Sequence, residues 1–233
     1  VNTGGLNGGT IGINGKLSGD SGENYITAGG TATKTKDFQL SSGVASGVLG
    51  KDDYITGYDL FADKDQVEID FIISPSIADR TSHKALANDL ISKAAARKDC
   101  VAVVSPARDD VVGQTSSSTI KDNIVATAQE ITPFSSYAVQ DGNFLKVFDK
   151  FNDQFIFIPA SSSTAGIMAA TDINRAAWFS PAGSRRGQYL GITSLAFTPT
   201  KSERDALYKN SVNPIANIPG SGVISVSYTH LTL

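Results

Sequence analysis

Apolar and polar residues alternate in a regular way between residues 66 and 177, and their spacing predicts strands and helices in turn. Residues 67–73 begin with alternating apolar and polar positions and end in an apolar run, while 100–104 is apolar throughout. Continuous apolar runs of this length are typical of strands buried on both faces of a sheet. Between them, apolar residues recur at helical spacing from 86 to 94, which predicts an amphipathic helix.

The ends of this first helix carry recognisable signals. Thr81 or Ser82 can cap its N-terminus, because a side-chain hydroxyl can accept a hydrogen bond from a free backbone N–H group. Arg97 falls in the last turn, where the helix dipole favours a cation. Both signals support a helix across this stretch of the chain.

Three further elements and one turn follow from the same spacing rules. Apolar residues at helical intervals from 120 to 131 predict a second helix, and a third is predicted for 162–177. Residues 155–158 are predicted to form another buried strand. Asp141-Gly142-Asn143 lies between two apolar segments, a pattern that predicts a β-hairpin.

Strands that alternate with helices indicate an α/β protein with a mostly parallel sheet and helices on both faces. Right-handed crossovers bring the loops at 74–75, 105–106 and 159–160 to the same edge of that sheet. Ligands of such folds bind in the crevice beyond the carboxyl ends of the strands. These loops are therefore the most favoured place on the protein for a binding or catalytic site.

Residues 1–60 differ in composition from the rest of the chain. Thirteen of the 22 glycines lie in the first 50 residues, mixed with threonine, serine and asparagine. Short β-prone pieces between glycines indicate meandering strands and long loops. A flexible linker and a host-binding β module both fit this composition.

Composition narrows the possible functions. The 233 residues suffice for one large domain or two small ones. Charged residues make up 18% and the net charge is −3, so nothing predicts a nucleic acid or a membrane as a partner. Cys100 is the only cysteine, which excludes an intrachain disulfide and a cysteine-based zinc site.

Several side chains at the expected crevice can carry chemistry: Asp79, Arg80, His83, Arg108, Asp109, Asp110 and Ser161–Ser163. The chain order Asp79, His83, Ser163 imitates a serine-hydrolase triad, in which the acid orients the base and the base activates the nucleophile. Against that interpretation, the sequence has no Gly-x-Ser-x-Gly elbow. Helix capping by the serines and a solvated first helical turn for His83 are the structural alternatives.

Two short loops resemble ion-binding motifs only in part. Asp63-Lys64-Asp65 begins like a calcium loop, but Glu68 and Ser74 occupy the positions that require glycine and glutamate. Residues 183–187, Gly-Ser-Arg-Arg-Gly, lack the Gly-Lys-Ser/Thr ending of a phosphate-binding loop. A charged turn and an isolated basic turn are therefore the expected structures.

The region after the third predicted helix carries the most specific pattern. Its blocks lie at 178–183, 186–187, 207–209, 212–215 and 219–223, and they resemble the tail sheath protein of contractile bacteriophages. The matching residues are Trp178, Phe179, Pro181, Gly183, Arg186, Gly187, Leu207, Tyr208, Asn213, Pro214, Pro219 and Gly220. Local turns and direct contacts between subunits both explain these residue types.

The resemblance implies a domain organisation. Residues 61–177 correspond to the central domain of that family, which has a subtilisin-like fold without protease activity, and 178–226 to the start of a small α+β C-terminal sheath domain. Residues 1–60 would end an inserted outer domain. The tail 227–233 resembles translated sequencing-adapter DNA and is expected to be non-native. Because Val1 is not an initiator methionine, we expect a fragment without the terminal arms that join neighbouring subunits in this family.

The resemblance also implies a function. Copies of the protein would stack as rings into a helical tube around the tail tube of the virion, and contraction would drive that tube into the host cell. The implied partners are further copies of the chain, the tail tube protein, and the baseplate and tail terminator proteins. Assembly would take place in the host cytoplasm, and neither a cofactor nor enzymatic activity is expected.

Two other function classes stay open at this point. An α/β hydrolase at the crevice would depend on Ser163 or His83. A surface- or glycan-binding module would reside in residues 1–60. The sheath interpretation rests on the 178–226 blocks and not on the predicted sheet, because one fold supports many functions.

Overall fold

A computed structural model describes residues 49–132 and 134–228. The helices in this range are α1 (Lys51–Asp59), α2 (Arg80–Arg97), α3 (Arg108–Val111), α4 (Ser117–Glu130), α5 (Ser161–Asn174) and α6 (Lys201–Lys209). The strands are β1 (Phe71–Ile73), β2 (Val101–Val104), β3 (Ala138–Asp141), β4 (Phe144–Asp149), β5 (Gln154–Pro159), β6 (Ser194–Leu195), β7 (Val212–Asn213), β8 (Ile215–Ile218) and β9 (Gly222–Ser225). No helix in the described range is long and apolar enough to cross a bilayer.

The central feature is a four-stranded sheet in the order β1-β2-β3-β7, in which every neighbouring pair is parallel. Its β2 strand lies between β1 and β3 and is largely buried. The α/β class and the mostly parallel sheet predicted from the sequence are therefore confirmed. The first strand is shorter than the predicted 67–73, because regular pairing with β2 begins only at Phe71.

Helices cover both faces of this sheet, as the pattern predicts. The α2 face is formed by alternate strand residues, namely Ile72, Ala102, Val104 and Ala138, which pack against Leu86, Leu90 and Ile91. On the opposite face, Val103 and Val139 pack against Ala165 of α5. This alternation explains the continuous apolar runs, because successive residues point to opposite faces and both faces are covered.

The start of α2 differs from the prediction. Asp79 is the N-cap residue, and its carboxylate accepts a 2.8 Å hydrogen bond from the backbone N–H of Ser82. The predicted caps, Thr81 and Ser82, lie inside the helix, because the carboxylate one residue before its start already satisfies the free donor. This contact lowers the pKa of Asp79.

The predicted hairpin at Asp141-Gly142-Asn143 is wrong. β3 pairs with β2 and β7, whereas β4 pairs with β5 and β6 in a separate antiparallel sheet. The backbone N–H of Gly142 donates to the Asn213 carbonyl of β7 at 3.0 Å. The Asn143 amide is buried and donates to the Phe197 carbonyl at 2.8 Å. These long-range bonds direct the chain from one sheet into the other.

The next two elements also differ from prediction in detail. β5 is an edge strand of the antiparallel sheet instead of a buried strand, and its Phe155 side chain is half exposed. The hairpin in this region joins β4 to β5 around residues 150–153. α5 ends at Asn174 and not at residue 177.

The C-terminal region shares the core of the central sheet. β7 is a strand of that sheet, and Leu207 of α6 packs with Ile124 of α4 and Phe144 of β4. The packing thus continues across the predicted division at residue 178. At the other end, α1 packs on α2 through Tyr54, although it falls within the predicted 1–60 segment. Residues 1–48 of that segment lie outside the described residues, and the domain division stays a prediction.

Arg97 anchors the segment that precedes β1. Its guanidinium donates to the carbonyls of Phe61 at 2.6 Å and Val67 at 2.8 Å, and it pairs with the Asp99 carboxylate at 2.9 Å. The side chain is almost fully enclosed, with 1% exposed. A planar group with several donors is suited to such a site, so this arginine contributes more than the dipole interaction predicted from its position.

We predict that Arg97→Met releases the segment from Phe61 to Val67, because two backbone carbonyls then lose their donor. The measurement is limited proteolysis with mass mapping, and new cleavage within this segment is expected. Arg108→Met is the matched control, since the exposed Arg108 guanidinium makes only a long contact with Asp109 among the described residues. Equal cleavage of both variants would contradict the anchoring role.

Candidate functional site

The three loops predicted to meet at one sheet edge do meet there. The backbone N–H of Ser161 donates to the Ser105 hydroxyl at 2.8 Å, and the Ser161 hydroxyl donates to the Ser74 carbonyl at 2.8 Å. All three serines are buried. The last loop reaches this edge by way of the antiparallel sheet and not from a strand of the parallel sheet. Ser161, which follows this loop, therefore uses both its backbone N–H and its hydroxyl to join the three loops.

His83 lies in the same crevice but is not arranged as a catalytic base. Its ring is buried, and Nε2 donates to the Ser105 carbonyl at 2.6 Å. Burial lowers the pKa of His83, so the ring is neutral, and Nδ1 has no partner among the described residues. The Asp79 carboxylate is committed to the helix cap. The predicted order Asp79, His83, Ser163 therefore does not form a triad.

The charged residues of the crevice hold helices together. The Arg80 guanidinium contacts the Asp110 carboxylate at 2.8 Å, and the Thr127 hydroxyl donates to the same carboxylate at 2.6 Å. This network links α2, α3 and α4. Arg108 and Asp109 lie at the surface, with a separation of 3.7 Å between their charged groups.

The two partial ion-binding motifs form turns. The Asp63 carboxylate accepts from the backbone N–H of Asp65 at 2.9 Å and from the Gln66 amide at 2.9 Å. No cluster of three or more histidine, cysteine, aspartate or glutamate side chains in the described range is placed to hold a metal ion. In the basic loop, Arg186 donates to the Ser180 carbonyl at 2.9 Å and stacks 5.3 Å from the Phe179 ring centre.

The turn from Pro181 to Gly187 is locked to β9. Gly183 donates to the Ser225 carbonyl, and Ser225 donates in return to the Gly187 carbonyl, each at 2.8 Å. Gly183 has a φ of +79°, and a Cβ on Gly187 would lie 2.7 Å from the Ala182 Cα. Both glycines are thus required by backbone geometry. Pro181 is buried beside them.

Other signature residues also serve the local fold. Leu207 and Asn213 are fully enclosed, with 0% exposed, and Pro214 is buried between β7 and β8. Pro219 and Gly220 lie in the exposed turn of the β8–β9 hairpin. These positions support the structural interpretation of the signature.

Three aromatic signature residues behave differently, because they face solvent. Trp178 is 84% exposed, Tyr208 is 47% exposed and Phe179 is 41% exposed. The Trp178 and Phe179 rings stack with their centres 6.2 Å apart. A groove of about 690 Å³ opens beside them, between the α5 side chains and the β1 edge. Exposed aromatic clusters of this kind mark contact surfaces.

Sequence reasoning missed a second aromatic surface on the β4–β5 hairpin. Phe148, Phe151 and Phe155 are 48%, 87% and 52% exposed, and the first and last rings meet at 5.2 Å. Lys146 lies 5.1 Å from the Phe155 ring centre. The available signal was three phenylalanines within eight residues around a polar turn, but the strand was interpreted as buried.

Comparison with known proteins supports the sheath interpretation. A family profile described as the phage tail sheath protein central domain matches residues 47–226. The chain belongs to the phage tail sheath protein family. This confirms the resemblance carried by the 178–226 blocks, and the profile extends it over the whole described α/β unit.

Curated relatives agree with this assignment. The tail sheath protein of Enterobacteria phage T4 is 33% identical over 196 residues, which cover 79% of this sheath chain and 30% of the relative. The tail sheath protein of Vibrio phage KVP40 is 30% identical over 222 residues, covering 88% of this chain and 33% of the relative. The chain thus spans about a third of the length of these relatives.

Solved structures share the fold of this sheath chain. The cryo-EM structure of the anti-feeding prophage helical sheath in its contracted state has a TM-score of 0.55 at 18% identity, and covers 84% of this chain and 46% of the other. A chain of the anti-feeding prophage baseplate has a TM-score of 0.56 at 18% identity, and covers 79% and 44%.

We predict that Gly187→Ala lowers the free energy of unfolding by about 1–3 kcal/mol, because the new methyl group must displace the Ala182 backbone. Gly166→Ala in α5 is the control. Apart from its chain neighbours and the backbone of its own helix, no described atom lies within 4 Å of its Cβ position, and helix propensity favours alanine there by about 0.5–1 kcal/mol. Urea unfolding measures both. A neutral Gly187→Ala variant would contradict the close approach.

Proposed function

We propose that this chain is part of a structural subunit of a contractile sheath and has no enzymatic role. The family match over residues 47–226 carries this proposal. The subunits are arranged in stacked rings or a helical tube around a tail tube, and contraction drives the tube into a target cell. Head-to-tail contacts that do not close into a ring generate helical tubes of this kind.

The state of the crevice supports a structural role. His83 is bonded to a backbone carbonyl, Asp79 caps a helix, and Asp110 is paired with Arg80. The acid and the base that the hydrolase interpretation requires, Asp79 and His83, are thus engaged in holding a helix and a loop. The work of contraction is then expected to come from free energy stored in the assembled sheath, as in other metastable assemblies.

The exposed aromatic residues are the proposed contacts between subunits. Trp178, Phe179 and Tyr208 present large apolar surfaces while most other signature residues are enclosed. Tryptophan and tyrosine often dominate binding energy at the centre of an interface. The β4–β5 hairpin, with its three exposed phenylalanines, is the second proposed contact.

The proposal also includes the partner proteins of the sheath and the place where it is assembled. The tail tube protein lies inside the sheath, and baseplate and tail terminator proteins bound its two ends. Assembly takes place in the host cytoplasm, and the product is the tail of a virion. Fold similarity to structures of a sheath and of a baseplate supports this arrangement.

The test uses the full-length protein that contains this chain. We predict that it forms sedimentable tubes or stacked rings visible by negative-stain electron microscopy. Trp178→Ala combined with Tyr208→Ala should reduce the sedimentable fraction at least about tenfold, as expected when two interface anchors are truncated. The melting temperature of the unassembled protein should change little, because both side chains are exposed.

Leu60→Ala is the matched control, since Leu60 is 76% exposed and lies outside both aromatic surfaces. It should assemble as the unsubstituted protein does. A well-folded monomer that never polymerises over a wide range of concentration and salt would contradict the proposed function. Hydrolase activity that disappears in Ser163→Ala would contradict it as well.

A further inference from the structure

Asp141 is a buried carboxyl group that no part of the sheath interpretation uses. It ends β3, its side chain is 0% exposed, and neither carboxyl oxygen has a hydrogen-bond partner among the described residues. An isolated carboxylate is strongly disfavoured in such a place, because burial removes its hydration and the nearby Thr164 hydroxyl offsets only part of that loss. The neutral acid is disfavoured far less.

Among the described residues, no positively charged group compensates a charge on Asp141. Thr164 of α5 approaches it, and Tyr189 and Tyr228 are the titratable groups that face it. Tyr189 is buried and its hydroxyl lies 2.8 Å from the Thr164 hydroxyl. Burial raises the pKa of Tyr189 and of Tyr228 above the usual value for a phenol, and the nearby carboxyl adds to this. Both phenols therefore stay neutral in the physiological range.

Asp141 lies where three parts of the fold meet. β3 belongs to the parallel sheet, α5 covers one face of that sheet, and the Tyr189 segment bonds to the β8–β9 hairpin through a 2.9 Å contact from the Tyr189 N–H to the Val223 carbonyl. A charge at this junction weakens the packing of all three parts, because it draws water toward a dry interface.

We propose that Asp141 is a neutral carboxylic acid in the folded protein below neutral pH and acts as a proton-dependent latch that joins α5 and the Tyr189 segment to the parallel sheet. This inference is independent of the proposed sheath function, because it concerns the stability of the folded chain itself.

The direction of the pH effect follows from proton binding. Burial raises the pKa of Asp141 to about 7, whereas an aspartate in the unfolded chain has a pKa of about 3.9. Between these values the folded state binds more protons than the unfolded state, so stability falls as pH rises. His83 has the opposite effect, because its lowered pKa makes the folded state lose stability as pH falls below about 6.5.

A comparison of variants separates the two groups. The experiment is urea unfolding of the 233-residue chain at pH 5 and pH 8 at constant ionic strength, for the unsubstituted protein, Asp141→Asn and Asp172→Asn. Asp172 is an exposed aspartate of α5 and serves as the matched control. His83 is present in all three proteins, so its contribution cancels in the comparison.

We expect the unfolding constant to change with pH differently in Asp141→Asn. The ratio of this constant at pH 8 to that at pH 5 should be roughly ten- to a hundredfold larger for the unsubstituted protein and for Asp172→Asn than for Asp141→Asn. The amide cannot ionise, which removes this part of the pH dependence. An equal ratio in all three proteins would overturn the proposal.

Two measurements on the unsubstituted protein keep the proposal testable if Asp141→Asn fails to fold. Carbon-13 NMR should show the Asp141 carboxyl titrating near pH 7, and titration near pH 4 would overturn the neutral acid. Hydrogen exchange, corrected for its intrinsic pH dependence, should show falling protection of the Tyr189 amide from pH 5 to pH 8. Unchanged protection would overturn the latch.

Discussion

The parallel pairing of β3 with β7 is the constraint on which most of the structure depends. Gln140 and Asp141 lie beside Val212 and Asn213, so the chain must leave the sheet after residue 141 and return to it at 212. The antiparallel sheet, α5, the signature turn and α6 are all contained in that excursion. Phe144 at its beginning and Leu207 near its end are both enclosed in one core with Val212. The excursion therefore starts and ends on the same packed cluster.

This arrangement explains why the sheet edge resembles an active site although its polar groups are engaged with one another. In an open α/β sheet the loops after the strands gather at one edge, and polar residues there commonly bind ligands. Here Ser74, Ser105 and Ser161 bond to one another's loops, and His83 closes the set through the Ser105 carbonyl. The polar groups satisfy buried backbone and side-chain partners, which is a requirement of any buried junction. Function is then expected at the outer surface, where the aromatic side chains lie.

The sequence predicts well the elements that depend on local periodicity. α2 and β2 follow from the spacing of Leu86 and Leu90 and from the apolar run that ends at Val104, because burial on both faces leaves a direct pattern. Asp141-Gly142-Asn143 carries a hairpin signal, but pairing with a strand about seventy residues away in the sequence overrides the local hairpin. Such pairing leaves no trace in a short window of sequence.

Part of the candidate site could likewise be predicted from the sequence, and part of it could not. Backbone requirements at Gly183 and Gly187 match the turn expected from their residue types. The exposure of Trp178 and Tyr208 does not follow from their residue types, because tryptophan and tyrosine are intermediate in burial and occur both enclosed and exposed. The latch at Asp141 depends on what α5 and the Tyr189 segment place around it, which only the three-dimensional packing reveals.

The central claim is that this α/β unit is an assembly module whose sheet edge is structural and whose aromatic surfaces form the contacts between subunits. A cryo-EM reconstruction of the tubes formed by the full-length protein tests it most directly. We expect Trp178, Phe179 and Tyr208 to be enclosed between neighbouring subunits, with His83 and Ser161 sealed inside one subunit. Aromatic side chains that face solvent throughout the tube, or a sheet edge that opens to a bound ligand, would contradict it.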